Sequence, residues 1–373
     1  MRILYWTQLF WPYVGGVEVL ASKFIPAMQA RGYEFIVVTS HGSLHLPDED
    51  KKDGIPIHRF PFQAAIENRD FTLITEAKQR LGRLKRDFQP DLVHVNLTDP
   101  SVLFHWQTSD ISPAPTLVST RVALPAKPAG ADSLTGQTLR SADWITSISR
   151  AMLEHIHRIA PETKAHSSLI YNGLEMPELQ PHALPFEKPQ LLCLGRVVED
   201  KGFDVAIRAL KRIAENISEA LLVIGGDGPS RPKLEELARD LEISDLVKFI
   251  GWVQPGQVYE LINTATIVIM PSRWVEAFGL VALQAAQMAR PVVATRVGGL
   301  PEIVVDKETG LLIPNEDHQS LAEAVTWLLR NKQETVRIGE NARTRARDLF
   351  NWTNYIDQYD LLYKKLINLR RKQ

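Results

Sequence analysis

The chain has 373 residues, 45% of them hydrophobic, which is too long for one ordinary doubly wound domain and predicts two. A formal net charge of −1 provides no basic field to attract nucleic acid, so we expect no nucleic-acid partner. The single cysteine, Cys193, excludes a disulfide framework or a cysteine metal cluster and is expected to be a core residue in a reducing compartment. Gln8 and Pro12 interrupt the N-terminal segment before any signal-peptide core, and no apolar run approaches the roughly 18 residues of a membrane span. We therefore expect a cytoplasmic protein.

The first half of the chain alternates strand and helix patterns. A strand at residues 1–7 leads to a turn at Gly15 and Gly16 and then to a helix that stops near Gly32. Further strands are predicted at 35–39, 57–60, 91–96, 116–120 and 144–147. Strands that alternate with helices form parallel sheets, so a parallel sheet is expected. The two glycines either let the backbone approach a phosphate or a substrate, or only make a tight turn.

A helix predicted at 72–88 is rich in basic residues. They are Lys78, Arg80, Arg83, Lys85 and Arg86. A solvated face is the favoured interpretation, because attachment to a membrane surface would need larger apolar residues on the other face. Peripheral membrane contact is kept as an alternative that is not favoured.

A proline-rich segment at 172–190 divides the chain. Four prolines in this segment forbid helix and sheet alike, so it is a linker or a surface crossing. We expect a first lobe at 1–175 and a second at 176–350. The terminal segment, 351–373, has an apolar stripe at helical spacing and is expected to pack back on the first lobe.

The second half repeats the alternation of strand and helix. Strands are predicted at 191–194, 221–224, 247–250, 265–270, 291–295 and 310–314. The signatures GxGxxG, GxSxG, HExxH, paired CxxC and Walker A are all missing from the sequence. Dinucleotide and nucleoside-triphosphate chemistry therefore lose support.

Residues 270–302 predict an anion site where a strand meets a helix. The apolar run stops at Pro271, a turn carries Glu276, and a helical pattern begins near Phe278. The start of a helix offers unpaired N–H groups and a partial positive charge, which favour a phosphate. Glu276 stands beside it, where a carboxylate can accept hydrogen bonds from hydroxyl groups.

A second set of residues suited to phosphate follows the first strand of this half. Gly195 and Arg196 come directly after the strand, and Lys201 follows after a short turn. Both cations then lie where a strand ends and a helix starts, the position at which doubly wound sheets bind ligands. A pyrophosphate fits this chemistry, while the alternative is a pair of solvated loop charges.

Several motifs together resemble a known family. NGLE, GRVVEDKG, IGGDGP, PSRWVEAFGLVALQA, PVVATRVGGLPEIV and TGLLIP, in this order and spacing, resemble the retaining glycosyltransferases of family four. GGVE and SADWITSIS fit as well, so the resemblance covers nearly the whole chain. It implies an α/β protein of the GT-B fold, with two Rossmann-like doubly wound parallel-sheet lobes facing a central cleft. It also implies a sugar nucleotide held mainly by the second lobe, an acceptor held by the first, retained anomeric configuration and no required metal.

The resemblance assigns roles to residues by position. Arg196 and Lys201 would neutralise the diphosphate leaving group, and Glu276 would touch the donor sugar. Backbone groups at the helix start would meet sugar hydroxyls and phosphate. The residues implied to bind the donor are Gly195, Phe278, Gly279, Leu280 and Gln284.

Two positions depart from the family pattern. The family usually has a glutamate, which accepts both ribose hydroxyls, at the position of Gln284, and the neutral amide would weaken nucleotide binding by about 1–2 kcal/mol. A Gln284→Glu change is then expected to tighten binding. Many relatives carry a histidine at the position of Arg121, which either binds an anionic acceptor here or marks a different pocket. His105, in an apolar stretch, is expected to be packed rather than catalytic.

The predicted function is transfer of a hexose or amino sugar from a nucleotide-diphosphate sugar, most simply of UDP or GDP, with no further cofactor. The acceptor would be a saccharide, a lipid-linked molecule or a small molecule. One alternative is a nucleotide-sugar epimerase or hydrolase on the same fold, which would turn over the donor without an acceptor. The other is a non-catalytic nucleotide-sugar-binding protein, which the changes at Gln284 and Arg121 suggest.

Overall fold

The computed structural model describes residues 1–96, 99–121, 133–274 and 276–371, with the side chain of residue 371 left out. The chain forms two compact units. The first comprises Met1–Tyr171 and Asn354–Gln373, and the second comprises Asn172–Thr353. Each unit has its own sheet, and among the described helices none has the length and apolar character that would carry it across a membrane.

The sheet of the first unit has the strand order β3-β4-β2-β1-β5-β6-β7-β8. Its strands are β1 Arg2–Thr7, β2 Glu34–Ser40, β3 Glu49–Lys52, β4 Ile55–Phe60, β5 Leu92–Asn96, β6 Thr116–Thr120, β7 Trp144–Ser147 and β8 Ser167–Leu169. Neighbouring strands are parallel except for the antiparallel pair β3 and β4. The central strands are buried on both faces, which explains the continuous apolar run at residues 3–6 of β1.

Helices connect these strands. They are α1 Gly16–Gln29, α2 Phe62–Glu67, α3 Phe71–Phe88, α4 Val102–Trp106, α5 Leu134–Arg140 and α6 Arg150–Ile159. Asp70 caps α3, because its carboxylate accepts from the N–H groups of Thr72 and Leu73, each at 3.0 Å. The helix start therefore falls within one residue of the predicted position.

The hairpin of β3 and β4 departs from the expected purely parallel sheet. The segment Glu49–Lys52 has no apolar pattern, and it pairs only at the sheet edge, where charged residues are favoured. Asp53 and Gly54 form its two-residue turn, both with positive φ. An Asp-Gly turn between two strands is a strong hairpin signal, and it was available in the sequence.

The second unit has a fully parallel sheet with the order β11-β10-β9-β12-β13-β14. Its strands are β9 Gln190–Leu194, β10 Leu221–Gly225, β11 Val247–Gly251, β12 Ile267–Met270, β13 Val292–Thr295 and β14 Gly310–Ile313. Counted from β9, this is the 3-2-1-4-5-6 order of a Rossmann fold. The strand order reverses between β9 and β12, so the loops after these two strands flank the topological switch point.

Helices cover both faces of the second sheet. They are α7 Phe203–Ala214, α8 Arg231–Asp240, α9 Val258–Thr264, α10 Leu280–Gln287, α11 Leu300–Ile303, α12 His318–Arg330 and α13 Lys332–Leu349. Cys193 is a fully buried member of the core beneath them, and burial raises the pKa of its thiol. The buried environment makes this cysteine a packing residue.

The terminal helix, α14 Trp352–Arg371, contributes a stripe of tyrosines to the first unit. The Tyr359 ring lies 5.1 Å from the ring of Phe24, and the Tyr363 hydroxyl lies 2.5 Å from His94 Nδ1. Burial lowers the pKa of His94 well below its usual range, so this imidazole is neutral. These contacts bury the apolar stripe that the sequence contains.

Candidate active site

The loops after β9 and β12 touch one another in the second unit. The backbone N–H of Arg273 donates to the carbonyl oxygen of Asp200 at 2.8 Å. Gly202 lies against Pro271 so closely that a Cβ would overlap the proline carbonyl oxygen, and its φ of +64° is a left-handed value that favours glycine. Glycine is therefore required where the two loops meet.

This contact brings Lys201 together with Glu276. Lys201 Nζ forms an ion pair with Glu276 Oε1, and Ser272 Oγ donates to the same oxygen at 3.1 Å. Both side chains of the pair are partly exposed, by 25% for Lys201 and 17% for Glu276. Two donors hold one carboxylate oxygen, and no donor from the described chain reaches the other, which can accept from a hydroxyl group of a ligand.

The loop after β13 supports the backbone of Glu276. The N–H of Gly299 donates to the Glu276 carbonyl oxygen at 2.8 Å. Gly298 has a φ of +53°, and a Cβ on it would overlap the same carbonyl oxygen. The glycine at this position therefore lets the loop after β13 pack directly beneath Glu276.

Helix α10 begins beside Glu276. Its first residue is Leu280 and its N-cap is Gly279 with a φ of +107°, two residues later than the predicted start at Phe278. The Phe278 side chain is buried, and its ring contacts the Phe350 ring edge-on at 5.6 Å between centroids. At this position only the backbone is suited to ligand contact, while the first-turn N–H groups of α10 have no acceptor four residues earlier in the helix.

The loop after β9 carries the other candidate donor-binding residues. Gly195 has a φ of +147° and its N–H donates to the carbonyl of Gly225 at 3.0 Å. Gly226 packs against the Gly195 carbonyl with no room for a Cβ, which accounts for the GGDGP motif as a tight turn. Arg196 is exposed, and within the described ranges no side chain pairs with its guanidinium.

Arg273 ties three loops of this edge together. Its guanidinium forms two hydrogen bonds with the Asp204 carboxylate, at 2.7 and 2.6 Å, and one with Glu316 at 3.1 Å. It also donates to the carbonyl oxygen of Glu199 at 3.1 Å. A bidentate pair of this kind fixes geometry as well as adding energy. Arg273 therefore holds the loops that carry Lys201 and Glu276.

Gln284 lies on α10, partly exposed, beside a hydrogen-bonded tyrosine. Tyr259 of α9 donates to Gln287 Oε1 at 2.6 Å. Gln287 is fully buried and its Nε2 reaches the carbonyl oxygens of Leu174 and Glu175. These hydrogen bonds of Gln287 thus link the NGLE motif to α10 at the candidate site.

In the first unit, Gly15 is the N-cap of α1 and Gly16 its first residue. The carboxylate of Glu18 lies over Gly15, so close that a Cβ on the glycine would overlap Glu18 Oε2. Burial raises the pKa of Glu18. The helix's own carboxylate therefore occupies part of the space that a phosphate would need, and the choice between a ligand contact and a tight turn stays a prediction.

Arg121 is buried within the first unit. Its Nε donates to Asn96 Oδ1, and its Nη2 donates to the hydroxyl oxygens of Tyr355 at 2.7 Å and Tyr359 at 3.2 Å. The residue is only 6% exposed. Arg121 is therefore a packed, hydrogen-bonded side chain of the first unit, and both sequence-based interpretations of its role stay predictions.

His105 is a packed residue, as its apolar surroundings predict. It is buried, its Nε2 lies 3.0 Å from Thr116 Oγ1 and its Nδ1 lies 3.0 Å from Lys85 Nζ. Burial lowers the pKa of Lys85 to about 7. Of the other basic residues on α3, Arg80 pairs with Asp48 at 2.5 Å, so this helix carries less free positive charge than its sequence suggests.

Sequence reasoning missed four residues of this region, namely Ser272, Arg273, Tyr259 and Gln287. Ser272 and Arg273 lie inside the motif that drew attention to Glu276, and their position one and two residues past Pro271 was the available signal. No signal in the sequence pointed to Tyr259, because it lies on another helix, 25 positions before Gln284. Among the described residues, no group of three His, Cys, Asp or Glu side chains is arranged as metal ligands would be.

Comparison with solved structures identifies the fold. Solved structures have a similar fold: sucrose-phosphate synthase from Thermosynechococcus elongatus has a TM-score of 0.85 at 22% identity, covering 99% of each chain. Anabaena Alr3699/HepE in complex with UDP-glucose has a TM-score of 0.79 at 19% identity, covering 98% of this chain and 100% of that one. With its two parallel-sheet α/β units, the protein has the GT-B fold.

Sequence comparison identifies the family. Residues 14–176 match the model of Glycosyltransferase Family 4, and residues 177–345 match that of Glycosyl transferases group 1. A glycogen synthase from Mycobacterium tuberculosis is 26% identical over 391 residues, covering 94% of this chain and 92% of the synthase. The chain belongs to the family 4, group 1 glycosyltransferases, and the predicted class and fold are confirmed.

Proposed function

We propose that the protein moves a hexose or an amino sugar from a nucleotide-diphosphate sugar to an acceptor, with retained anomeric configuration and without a metal ion or further cofactor. The meeting of Lys201 with Glu276, beside the N-terminus of α10, carries the proposal. Cations suit the diphosphate and the carboxylate suits sugar hydroxyls, so the groups fit two parts of one ligand. Their location at the switch point of the second sheet supports a nucleotide ligand.

The chemistry of the leaving group favours these residues. Transfer breaks the bond between the sugar C1 and the departing phosphate oxygen, and negative charge develops on that oxygen. Arg196, Lys201 and the first N–H groups of α10 would stabilise this charge, and preorganised donors of this kind lower the barrier. The same oxygen would take the proton of the acceptor hydroxyl, so no protein base is needed. Positive charge from the protein would then do the work that a divalent metal does elsewhere.

The donor base is proposed to be uracil or guanine. The Anabaena structure with UDP-glucose supports a uridine nucleotide, and a mycobacterial relative described as a GDP-mannose-dependent mannosyltransferase supports a guanosine nucleotide. The acceptor would be a saccharide, a lipid-linked molecule or a small molecule, bound by the first unit. We keep the cytoplasm as the predicted location.

Nucleotide binding is the first test. Isothermal titration and thermal shift with UDP, GDP and ADP should detect at least one ligand that raises the melting temperature. Lys201→Met should weaken binding of that ligand, while Lys211→Met, a change at a partly buried lysine on α7, should not. Absence of binding for all three nucleotides would refute the proposal.

Turnover is the second test. Mass spectrometry of reactions with a panel of donors and a crude metabolite or lipid extract should reveal an acceptor that gains the mass of a sugar. Loss of donor without acceptor would indicate an epimerase or hydrolase, and binding without any turnover would indicate a non-catalytic protein. Proton coupling at the anomeric carbon of the product should report retention, and the rate should persist in EDTA.

A further inference from the structure

A histidine and an aspartate pair with each other in the first unit, at the carboxyl end of β2. His41 is the first residue after this strand, and its Nε2 lies 2.9 Å from Asp48 Oδ1. An ionised carboxylate only accepts hydrogen bonds, so Nε2 must be the donor. The other ring nitrogen of a neutral imidazole, Nδ1, is then an acceptor, and no group among the described residues donates to it. The side chain of His41 is 24% exposed, so a ligand can reach it.

Helix α3 holds the aspartate of this pair in place. Arg80 Nη1 donates to Asp48 Oδ2 at 2.5 Å, and Arg80 Nη2 donates to the backbone carbonyl oxygen of Asp48 at 3.0 Å. The same guanidinium lies 4.5 Å from the centre of the Phe60 ring. Each oxygen of the carboxylate therefore has its own partner, and the imidazole of His41 is oriented before a ligand arrives.

The loops after β1 and β2 are tied together beside this pair. The hydroxyl of Tyr13, on the first loop, donates to the backbone carbonyl oxygen of His41 at 2.7 Å. The buried Arg59 donates to the carbonyl oxygen of Trp11 at 2.8 Å and to that of Pro47, on the second loop, at 3.2 Å. The Trp11 side chain nevertheless remains 39% exposed. An indole and an acceptor nitrogen thus lie on one braced part of the carboxyl edge of the first sheet, the edge at which parallel sheets bind ligands.

The charges that build this part of the molecule are balanced. Asp48 pairs with Arg80, and Asp50 pairs with the guanidinium of Arg59 at 3.0 Å. Charges that are already paired attract an anionic ligand only weakly, so hydrogen bonds and apolar contact must supply the recognition. A pyranose ring has both properties, because its hydroxyl groups donate hydrogen bonds at the rim while C–H groups on its face can pack against an indole.

We propose that His41 and Trp11 form a binding site for a neutral saccharide acceptor, with Asp48 and Arg80 as positioning residues. This role rests on the proposed function, in which the first unit holds the acceptor, and it selects one of the three acceptor classes. His41 Nδ1 accepts a hydrogen bond from a sugar hydroxyl group, and the indole of Trp11 packs against the C–H face of the ring. Neither residue lies within the motifs through which the chain resembles its family.

Saturation-transfer NMR and isothermal titration with simple sugars test this site. The neutral probes are glucose, maltose, sucrose and methyl α-mannoside, and glucose 6-phosphate is the anionic probe. At least one neutral sugar should bind the wild type more tightly than glucose 6-phosphate does. His41→Leu should weaken its affinity by about tenfold, the effect of one lost hydrogen bond, and Trp11→Leu by about fivefold through loss of the aromatic face.

Two further variants control for the histidine. His41→Gln should recover part of the affinity, because an amide can donate to Asp48 and still accept from a sugar hydroxyl group. His45→Leu removes an exposed histidine from the same loop and should bind the sugar as the wild type does. A folding defect in His41→Leu would appear as a lower melting temperature, and the comparison of His41→Gln with Trp11→Leu then decides the result.

Nucleotide binding separates this site from the proposed function. All four variants should bind UDP, GDP or ADP as the wild type does, because the changed residues lie in the first unit and the donor is assigned to the second. Failure of the wild type to bind any nucleotide refutes the proposed function. Sugar affinity that survives His41→Leu, tighter binding of glucose 6-phosphate than of every neutral sugar, or no sugar binding by the wild type refutes the saccharide site alone.

Discussion

At the scale of single residues, the ion pair between Lys201 and Glu276 is the central contact of the candidate site. Each side chain keeps the other in place before a ligand arrives, so neither must be ordered at the moment of binding. Ser272 adds a second donor to the same carboxylate oxygen. For such a preorganised pair, we expect a substitution that removes the charge at position 201 to weaken nucleotide binding more than one that keeps the charge and changes only the shape.

Replacing Lys201 tests this difference. Lys201→Met should weaken binding of the nucleoside diphosphate by about 1.5–3 kcal/mol, the range for hydrogen bonds to charged groups. Lys201→Arg keeps the charge and should restore part of the loss. Titration calorimetry measures both variants. Equal affinities for Lys201→Met and the wild type would mean that the diphosphate does not reach this lysine.

Lys85 predicts a pH dependence of stability. Its side chain is buried, its amine donates to the carbonyl oxygens of His105 and Thr108 at 3.1 and 3.2 Å, and burial lowers its pKa from 10.5 to about 7. Between these values the unfolded chain binds a proton that the folded chain does not. The contribution of Lys85 to stability therefore rises as the pH rises from about 7 to about 10, and is smallest below pH 7.

Denaturant unfolding between about pH 6 and pH 10 checks this sign. Lys85→Met should flatten the rise relative to the wild type, because methionine does not titrate. Lys78→Met, on the same helix but less buried, serves as the control. A Lys85→Met profile parallel to that of the wild type would contradict the lowered pKa.

At the scale of elements, the support of Glu276 by the loop after β13 makes a sharp prediction for Gly298. Gly298→Ala must displace the Glu276 carbonyl as well as strain a left-handed residue, so we expect a loss of about 1–3 kcal/mol in stability and a marked loss of turnover. Gly32→Ala is the matched control, since Gly32 also has a positive φ but open space around its Cβ position. Denaturant unfolding measures the loss of stability, and a turnover assay measures the loss of activity. Equal losses in Gly298→Ala and Gly32→Ala would mean that backbone strain at a positive φ, and not displacement of the Glu276 carbonyl, causes both effects.

The elements themselves differ in how far the sequence predicts them. Strands such as β6 and β7 have the predicted bounds, and nearly all of their residues are buried. The edge strand β3 consists of charged residues, and its pairing partner decides its conformation. Strand β8 is short and has little apolar character, so its sequence carries no strand signal.

The start of α10 shows a further limit. Periodicity placed it at Phe278, but that side chain turns into the core against Phe350, and the backbone becomes helical only after Gly279. Contacts between distant parts of the chain, such as Tyr259 with Gln287, leave no periodic trace. The loops of the candidate site were therefore predictable from local motifs, whereas the residues that brace them were not.

At the scale of the whole molecule, the predicted alternation of strands and helices agrees with a chain that builds one fully parallel sheet and one that is parallel except for its edge hairpin. The predicted GT-B fold and family are confirmed, while the predicted boundaries of acceptor and donor lobes remain predictions. The burial of Arg121 could not be predicted from the sequence. Its partners Tyr355 and Tyr359 come from the last helix, 234 and 238 positions away, so no local pattern could have revealed its burial.

The Lys201–Glu276 pair also determines how salt affects the site. Because its two charges cancel, the field that an approaching dianionic donor meets comes mainly from the guanidinium of Arg196 and from about half a charge at the N-terminus of α10. Arg196 is exposed, so its field is screened within about 8 Å at physiological ionic strength. Donor affinity should therefore fall as NaCl rises from about 50 to about 500 mM, and Arg196→Gln should remove most of this dependence. If the variant keeps the full salt dependence in titration calorimetry, another cation attracts the diphosphate. If Arg196→Gln does remove the salt dependence, the paired lysine acts as a short-range contact, and Arg196 is the residue that draws the donor in from solution.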